Sequence, residues 1–173
     1  MTGTQTISVL LDHELVTLNR AFGMLRRRNL FIKSIAVGPS ASPGLARLTI
    51  MMQSDQATAD RTARQLDKVV GVREVAVFPA RDGVTRELAL VKVRPGEGRY
   101  AELLDVALLY KAALVDESPE GVILEVSGSE AFVLSFLRAL ERFEVLEVAR
   151  SGVVALERTQ GAAPQFTLTS ETV

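Results

Sequence analysis

The chain of 173 residues is long enough for one or two small domains, and its 47% hydrophobic and 24% charged residues are typical of a folded globular protein. Its 20 Lys and Arg residues against 21 Asp and Glu residues give a net charge of −1, which disfavours binding to nucleic acid through clustered positive charge. With no cysteine and a single histidine, His13, the sequence excludes disulfides, thiolate metal sites, thiol nucleophiles and multi-histidine metal sites.

The sequence contains few candidate catalytic residues and no candidate membrane-spanning segment. No nucleophile or positioning partner is recognisable around His13, so we expect no catalytic residue and no metal site in this chain. No apolar stretch reaches the roughly 18 residues that span a bilayer. The beginning of the chain also lacks the basic and then apolar run of a secretory signal. We therefore expect a cytoplasmic protein.

Apolar residues in the first half of the chain follow the order β-α-β-β-α-β. A helix is predicted at 16–28, and strands are predicted at 5–11, 31–37, 45–52 and 72–77. Ser54 or Asp55 is expected to cap a second helix, and Gly71 to end it. The apolar stripe of that helix is predicted to be Ala59, Ala63, Leu66 and Val70.

The same order recurs in the second half of the chain, after a short linker at 80–84. Strands are predicted at 88–93, 113–116, 122–126 and 143–148. Two helices are predicted from apolar stripes, which are Tyr100, Leu103, Leu104, Ala107 and Leu108 in the first and Phe132, Phe136 and Leu140 in the second. The predicted fold class is α+β, with two tandem ferredoxin-like (βαββαβ) modules at 1–79 and 85–158. The polar tail, 159–173, is predicted to be flexible.

One short motif is similar to a nucleotide-binding loop. Residues 96–101 fit the pattern G-x-G-x-x-A between a predicted strand and a predicted helix, and Asp116 stands near the place of a ribose-binding acid. Glu97, however, would put negative charge where a pyrophosphate has to sit. The next two strands are also joined by a turn too short for a parallel crossover. The motif therefore favours an ordinary strand-to-helix turn.

Several segments together resemble the regulatory (small) subunits of acetolactate synthase, also called acetohydroxyacid synthase. The resemblance covers about residues 5–158 and begins with the strand at 8–11 and the segment at 32–35. It is strongest at residues 86–93 (RELALVKV) and 147–156 (EVARSGVVAL), whose order and spacing are specific. Arg150, Ser151 and Gly152 in the second segment suit either a contact with an anion or partner carboxylate or a surface turn.

This resemblance implies a non-catalytic subunit whose N-terminal module is an ACT domain. Its expected partner is a separate catalytic subunit that carries thiamine diphosphate, Mg²⁺ and FAD, so no cofactor is expected in this chain. The resemblance further implies a homodimer through the ACT domains, activation of the partner, and feedback by valine or another branched-chain amino acid in the biosynthesis of those amino acids. A stand-alone ACT-type amino-acid sensor that acts on another partner is the alternative.

The resemblance places the effector site in the loop after the first strand and at the beginning of the second. The implied effector-binding residues are His13, Val16, Thr17, Leu18, Asn19, Phe31 and Ile32. Valine-sensitive members usually have Asn, Gly and Asn at the positions of His13, Val16 and Phe31. Val16 and Phe31 therefore either fill the cleft, which predicts a weak or absent response to valine, or reshape it for a different effector.

Overall fold

The computed structural model describes residues 2–28 and 30–159, which form two compact units. One unit is built from the residues up to Val84 together with the segment that begins at Ala155. The other unit is Thr85–Val154. None of the helices in the described ranges is long and apolar enough to cross a membrane.

The first unit is a four-stranded antiparallel sheet with two helices. The strand order is β2-β3-β1-β4, so β2 and β4 are the edge strands. This β-α-β-β-α-β unit has the topology predicted from the apolar pattern. The elements are β1 (Gly3–Asp12), α1 (Leu15–Arg26), β2 (Phe31–Pro39), β3 (Leu45–Ser54), α2 (Gln56–Leu66) and β4 (Val72–Pro79).

Alternate apolar residues of β1 and β3 form the core of the first unit, because every second side chain points to the same face of a strand. Ile7 and Val9 of β1 pack with Leu48 and Ile50 of β3, and all four are fully buried. Asp55 caps α2, as predicted, by accepting a 2.7 Å hydrogen bond from the backbone N–H of Thr58. Hydrogen bonds from the Thr58 hydroxyl and backbone N–H hold the pKa of the Asp55 carboxyl below its ordinary value.

The second half of the chain forms a five-stranded antiparallel sheet in the order β6-β7-β5-β8, with β9 also paired to β5. The segment predicted as a linker is a 3-10 turn, Ala80–Asp82, followed by the first residues of β5. The fold class is confirmed as α+β with two βαββαβ arrangements. The elements are β5 (Gly83–Arg94), α3 (Tyr100–Leu109), β6 (Ala113–Ser118), β7 (Gly121–Gly128), α4 (Glu130–Leu140), β8 (Glu144–Arg150) and β9 (Val154–Glu157).

Several details of the predicted elements were wrong. Phe132 is 37% exposed, because Val133, Phe136 and Leu140 form the buried stripe of α4. Leu108 is 76% exposed, because Leu103, Val106 and Ala107 form the buried stripe of α3 and Leu108 lies on the opposite side of that helix. Val70 is 73% exposed, because α2 ends at Leu66 and the helical phase is lost beyond it. The short strand β9 was not predicted at all. Apart from Thr159, the tail predicted to be flexible lies outside the described residues.

Candidate functional site

The segment between β1 and α1 is held in place by backbone hydrogen bonds at its start. The N–H of Asp12 donates to the carbonyl of Gly71 at 2.8 Å, and the N–H of His13 donates to the carbonyl of Gly44 at 2.9 Å. The Asp12 carboxylate also accepts two 2.8 Å contacts from the guanidinium of Arg73. These bonds fix the point at which the chain turns into α1, whereas the side chain of His13 is exposed.

The N-terminus of α1 is open. Its N-cap residue, Glu14, makes no side-chain capping bond, and the first turn of the helix contains no acidic residue. The carbonyl of Glu14 accepts from the N–H groups of Thr17 and Leu18. Within the described ranges, the N–H groups of Leu15 and Val16 have no acceptor. Two free N–H groups at the positive end of a helix dipole favour an anion such as a carboxylate.

Thr17 lies in the first turn of α1 and is buried, with only 1% of its surface exposed in this chain. Gly71, with φ of +95°, lies directly against it. A Cβ atom at Gly71 would come within 2.6 Å of the Thr17 hydroxyl oxygen and 3.2 Å of an Asp12 carboxylate oxygen. The prediction that Gly71 ends α2 was wrong, because that helix ends at Leu66, and the close approach of Gly71 to the loop after β1 was not predicted.

The remaining predicted effector residues are divided between α1 and the edge strand β2. Val16 is 48% exposed, Asn19 is exposed and Leu18 is half-buried against the core. Phe31 is 71% exposed at the start of β2, and Ile32 packs partly against the core. In the described ranges no hydrogen bond joins residues 13–19 to Phe31 or Ile32 within one chain.

A shallow depression follows the exposed side of α1. It has a volume of about 390 Å³ and begins beside Val16, at the open end of the helix. Its other lining residues recur at helical spacing and are Asn19, Arg20, Gly23, Met24 and Arg27. Val16 and Asn19 are thus two predicted effector residues that line one depression within a single chain.

In the second unit, the two segments with the strongest resemblance are neighbouring strands. Residues 86–93 lie in β5 and residues 147–150 lie in β8, and the register places Val91 opposite Val148. The guanidinium of Arg150 donates two parallel bonds, of 2.9 and 2.7 Å, to the carboxylate of Glu87. Hydrogen bonding to Glu87 raises the pKa of Arg150.

Ser151 continues this connection beyond the ion pair. Its hydroxyl accepts from the N–H of Leu88 at 3.0 Å, and its own N–H donates to the carbonyl of Leu88 at 2.9 Å. Gly152 follows with φ of +74°, a conformation that glycine adopts without steric cost. The sequence left both an anion contact and a surface turn open for residues 150–152. In the structure, Arg150 and Ser151 bond to residues of β5, and Gly152 then turns the chain.

The glycine motif at 96–101 lacks the geometry of a dinucleotide site. β5 pairs antiparallel with both β7 and β8, so the loop does not open a parallel crossover. Glu97 and Glu117 line the cleft beside this loop, and a hydrogen bond to Glu117 raises the pKa of Tyr100. No cluster of three or more histidine or carboxylate side chains in the described ranges could hold a metal ion.

Comparison with known proteins identifies the family. A family model described as "Small subunit of acetolactate synthase" matches residues 86–159, the region that contains the Glu87–Arg150 pair. A probable acetolactate synthase small subunit from Methanothermobacter thermautotrophicus is 35% identical over 156 residues, which cover 90% of this chain and 93% of the relative. The chain belongs to the acetolactate synthase small subunit family.

Other members of the acetolactate synthase small subunit family show the same extent of similarity. The acetolactate synthase small subunit of Mycobacterium bovis is 32% identical over 155 residues, covering 90% of this chain and 92% of that protein. The crystal structure of the acetolactate synthase small subunit from Thermotoga maritima matches with a TM-score of 0.85 at 32% identity. That match covers 91% of this chain and 99% of the Thermotoga chain, so both units are shared with the family.

Proposed function

We propose that this chain is a non-catalytic regulatory subunit that binds and activates the thiamine-diphosphate-dependent catalytic subunit of acetolactate synthase in the cytoplasm. The observation that carries this proposal is family similarity over nine-tenths of the chain. Thiamine diphosphate, Mg²⁺ and FAD are assigned to the catalytic partner. Activation then follows if the regulatory subunit binds the active form of its partner more tightly than the inactive form.

Formation of acetolactate from pyruvate by the cognate catalytic subunit tests this proposal. We expect addition of the chain to raise the rate by roughly 5- to 150-fold, the range that corresponds to a typical coupling free energy. Bovine serum albumin at the same concentration controls for nonspecific stabilisation. No rate increase, with a catalytic subunit that is itself active, would contradict the proposal and favour a stand-alone amino-acid sensor.

We place homodimerisation of the regulatory subunit at the first unit. Its edge strand β2 carries three exposed apolar side chains, Phe31, Ile35 and Val37. A second copy can add a strand at the edge of a sheet through backbone hydrogen bonds. In such a dimer the start of β2 from one copy would complete the cleft at α1 of the other.

The effector is assigned to the open N-terminus of α1, where the free N–H groups of Leu15 and Val16 suit the carboxylate of a branched-chain amino acid. Val16 places a branched side chain beside these groups, and Phe31 places an aromatic ring at the start of β2. Both side chains occupy space that glycine and asparagine leave open. Feedback by valine is accordingly weak or absent in this subunit.

Replacing Val16 by glycine and Phe31 by asparagine together should introduce a response to valine. We expect the valine concentration for half-maximal inhibition of the activated complex to fall by about tenfold or more, equivalent to about 1.4 kcal/mol of added binding energy. The measurement is acetolactate formation at increasing valine. Leu15→Gly with Phe31→Asn is the matched control, because Leu15 is also exposed in the first turn of α1. An equal response in both variants would contradict the role of Val16.

A further inference from the structure

The second sheet has one side that its helices do not cover. Ala89, Val91 and Val93 of β5 pack with residues of α3 and α4, so the alternate residues of β5 point to the other side. On that side, Leu90 and Lys92 of β5 lie between β7 and β8. We call this side the open face, and its shallow depression of about 200 Å³ is lined by Leu90, Lys92, Ile123, Glu147 and Ala149.

Among the residues that the structure describes, the charges on the open face make no ion pair. Lys92 and Glu147 stand directly opposite each other on β5 and β8, yet in the described ranges neither side chain makes an ion pair. Arg94 and Arg150 on the same two strands are, by contrast, both paired with carboxylates. Glu125 also lies on the open face, beside Leu90. A cation therefore stands near two carboxylates around an apolar centre.

We propose that the open face is a contact surface for the open face of a second copy of this chain. A two-fold axis brings the same patch of both copies together, so each Lys92 faces the carboxylates of the partner copy. Lys92 of one copy pairs with the partner's Glu147, and Leu90, Ile123 and Ala149 of both copies form the apolar centre. Lys92 and Glu147 make this part of the patch complementary to itself, which selects a second copy as the occupant.

The size of the open face indicates that this contact is weak on its own. Three strands about 4.8 Å apart and five residues of about 3.4 Å each give a footprint of roughly 15 by 17 Å. This area is well below the about 800 Å² that each partner buries in a standard interface. We therefore expect this contact to form in addition to the proposed dimer contact of the first unit. Cross-linking between side chains detects such a contact better than a measurement of molecular mass does.

Cysteine cross-linking of the full chain tests the contact, because the natural sequence has no cysteine. Ala149→Cys places a thiol on the open face, and Val148→Cys places one on the opposite side of the same exposed strand. With a short bismaleimide, we expect the Ala149→Cys dimer to form about tenfold faster than the Val148→Cys dimer. Equal rates would overturn the proposal.

Charge reversal identifies the pairing partner in the Ala149→Cys background. Lys92→Glu or Glu147→Lys alone should slow cross-linking by about tenfold, since like charges then meet across the axis. The double reversal should restore the rate, which also shows that the variants fold. Failure of the double reversal to restore cross-linking would overturn the pairing of Lys92 with Glu147.

The catalytic subunit is the alternative partner for the open face. A photoreactive maleimide attached to the thiol of the Ala149→Cys variant distinguishes it from a second copy of this chain. Labelling of a second copy of this chain, with or without the catalytic subunit present, is the expected result. Labelling of the catalytic subunit instead would overturn the proposal. Because the cross-linking is measured on this chain alone, its failure is separate from a failure of the proposed activating function.

Discussion

Replacing Arg150 by methionine is expected to lower the free energy of unfolding by about 3 kcal/mol, since breaking a buried ion pair leaves an uncompensated charge. The side chain of Glu87 is only 3% exposed, whereas that of Arg150 is 34% exposed. Without the guanidinium, the Glu87 carboxylate would stay buried with neither of its two bonds. Urea denaturation followed by circular dichroism measures the change.

Two variants test whether the loss of stability comes from the burial of Glu87 or only from the loss of a positive charge. Arg94→Met also removes an arginine from an ion pair, but its partner Glu144 is 58% exposed, so we expect a loss below about 1 kcal/mol. Arg150→Met combined with Glu87→Met should recover most of the stability, because it removes the buried charge as well. Similar losses for Arg150→Met and Arg94→Met would show that Glu87 is not effectively desolvated.

Replacing Gly71 by alanine is expected to cost about 2–5 kcal/mol, from backbone strain at positive φ together with overpacking. The added Cβ would meet the hydroxyl oxygen of Thr17 at 2.6 Å and its methyl carbon at 2.8 Å. Neither atom can withdraw easily, because Thr17 is buried in the first turn of α1. Thermal unfolding of the purified chain measures the loss.

Gly44 provides the matched control for this substitution. Its φ of +74° carries a similar backbone cost, but no atom lies within 4 Å of its Cβ position, so Gly44→Ala should lose only about 1–2 kcal/mol. Adding Thr17→Ala to Gly71→Ala should bring the loss toward that of Gly44→Ala, because the overpacking is then removed. An unchanged loss in the double variant would contradict the steric explanation.

Local sequence pattern accounts for most of the fold. The β-α-β-β-α-β order, confirmed in both halves of the chain, follows from periods of two and of about 3.6 residues, which depend only on neighbouring side chains. The cap at Asp55 has the same local origin. Leu108 was placed wrongly because α3 is apolar on several sides, and an apolar residue then no longer identifies the buried stripe.

The local sequence pattern does not predict contacts between distant segments of the chain. Glu87 and Arg150 are 63 residues apart, and Asp12 and Arg73 are 61 residues apart, so their pairing depends on strand register. The family resemblance predicts a site in the loop at His13, whereas the approach of Gly71 to Thr17 depends on how distant segments pack. The effector residues remain predictions, since in the described ranges no hydrogen bond joins residues 13–19 to Phe31 or Ile32.

The return of the chain to the first unit at Ala155 affects how the protein folds during synthesis. After β8, the chain turns at Gly152, forms β9, and donates from the N–H of Arg158 to the carbonyl of Asp82. The segment that begins at Ala155 can therefore join the first unit only after the ribosome has made all of Thr85–Val154. At ordinary translation speeds this delay is roughly 4–14 s, during which the four-stranded sheet and both helices of the first unit have been made but the segment from Ala155 has not.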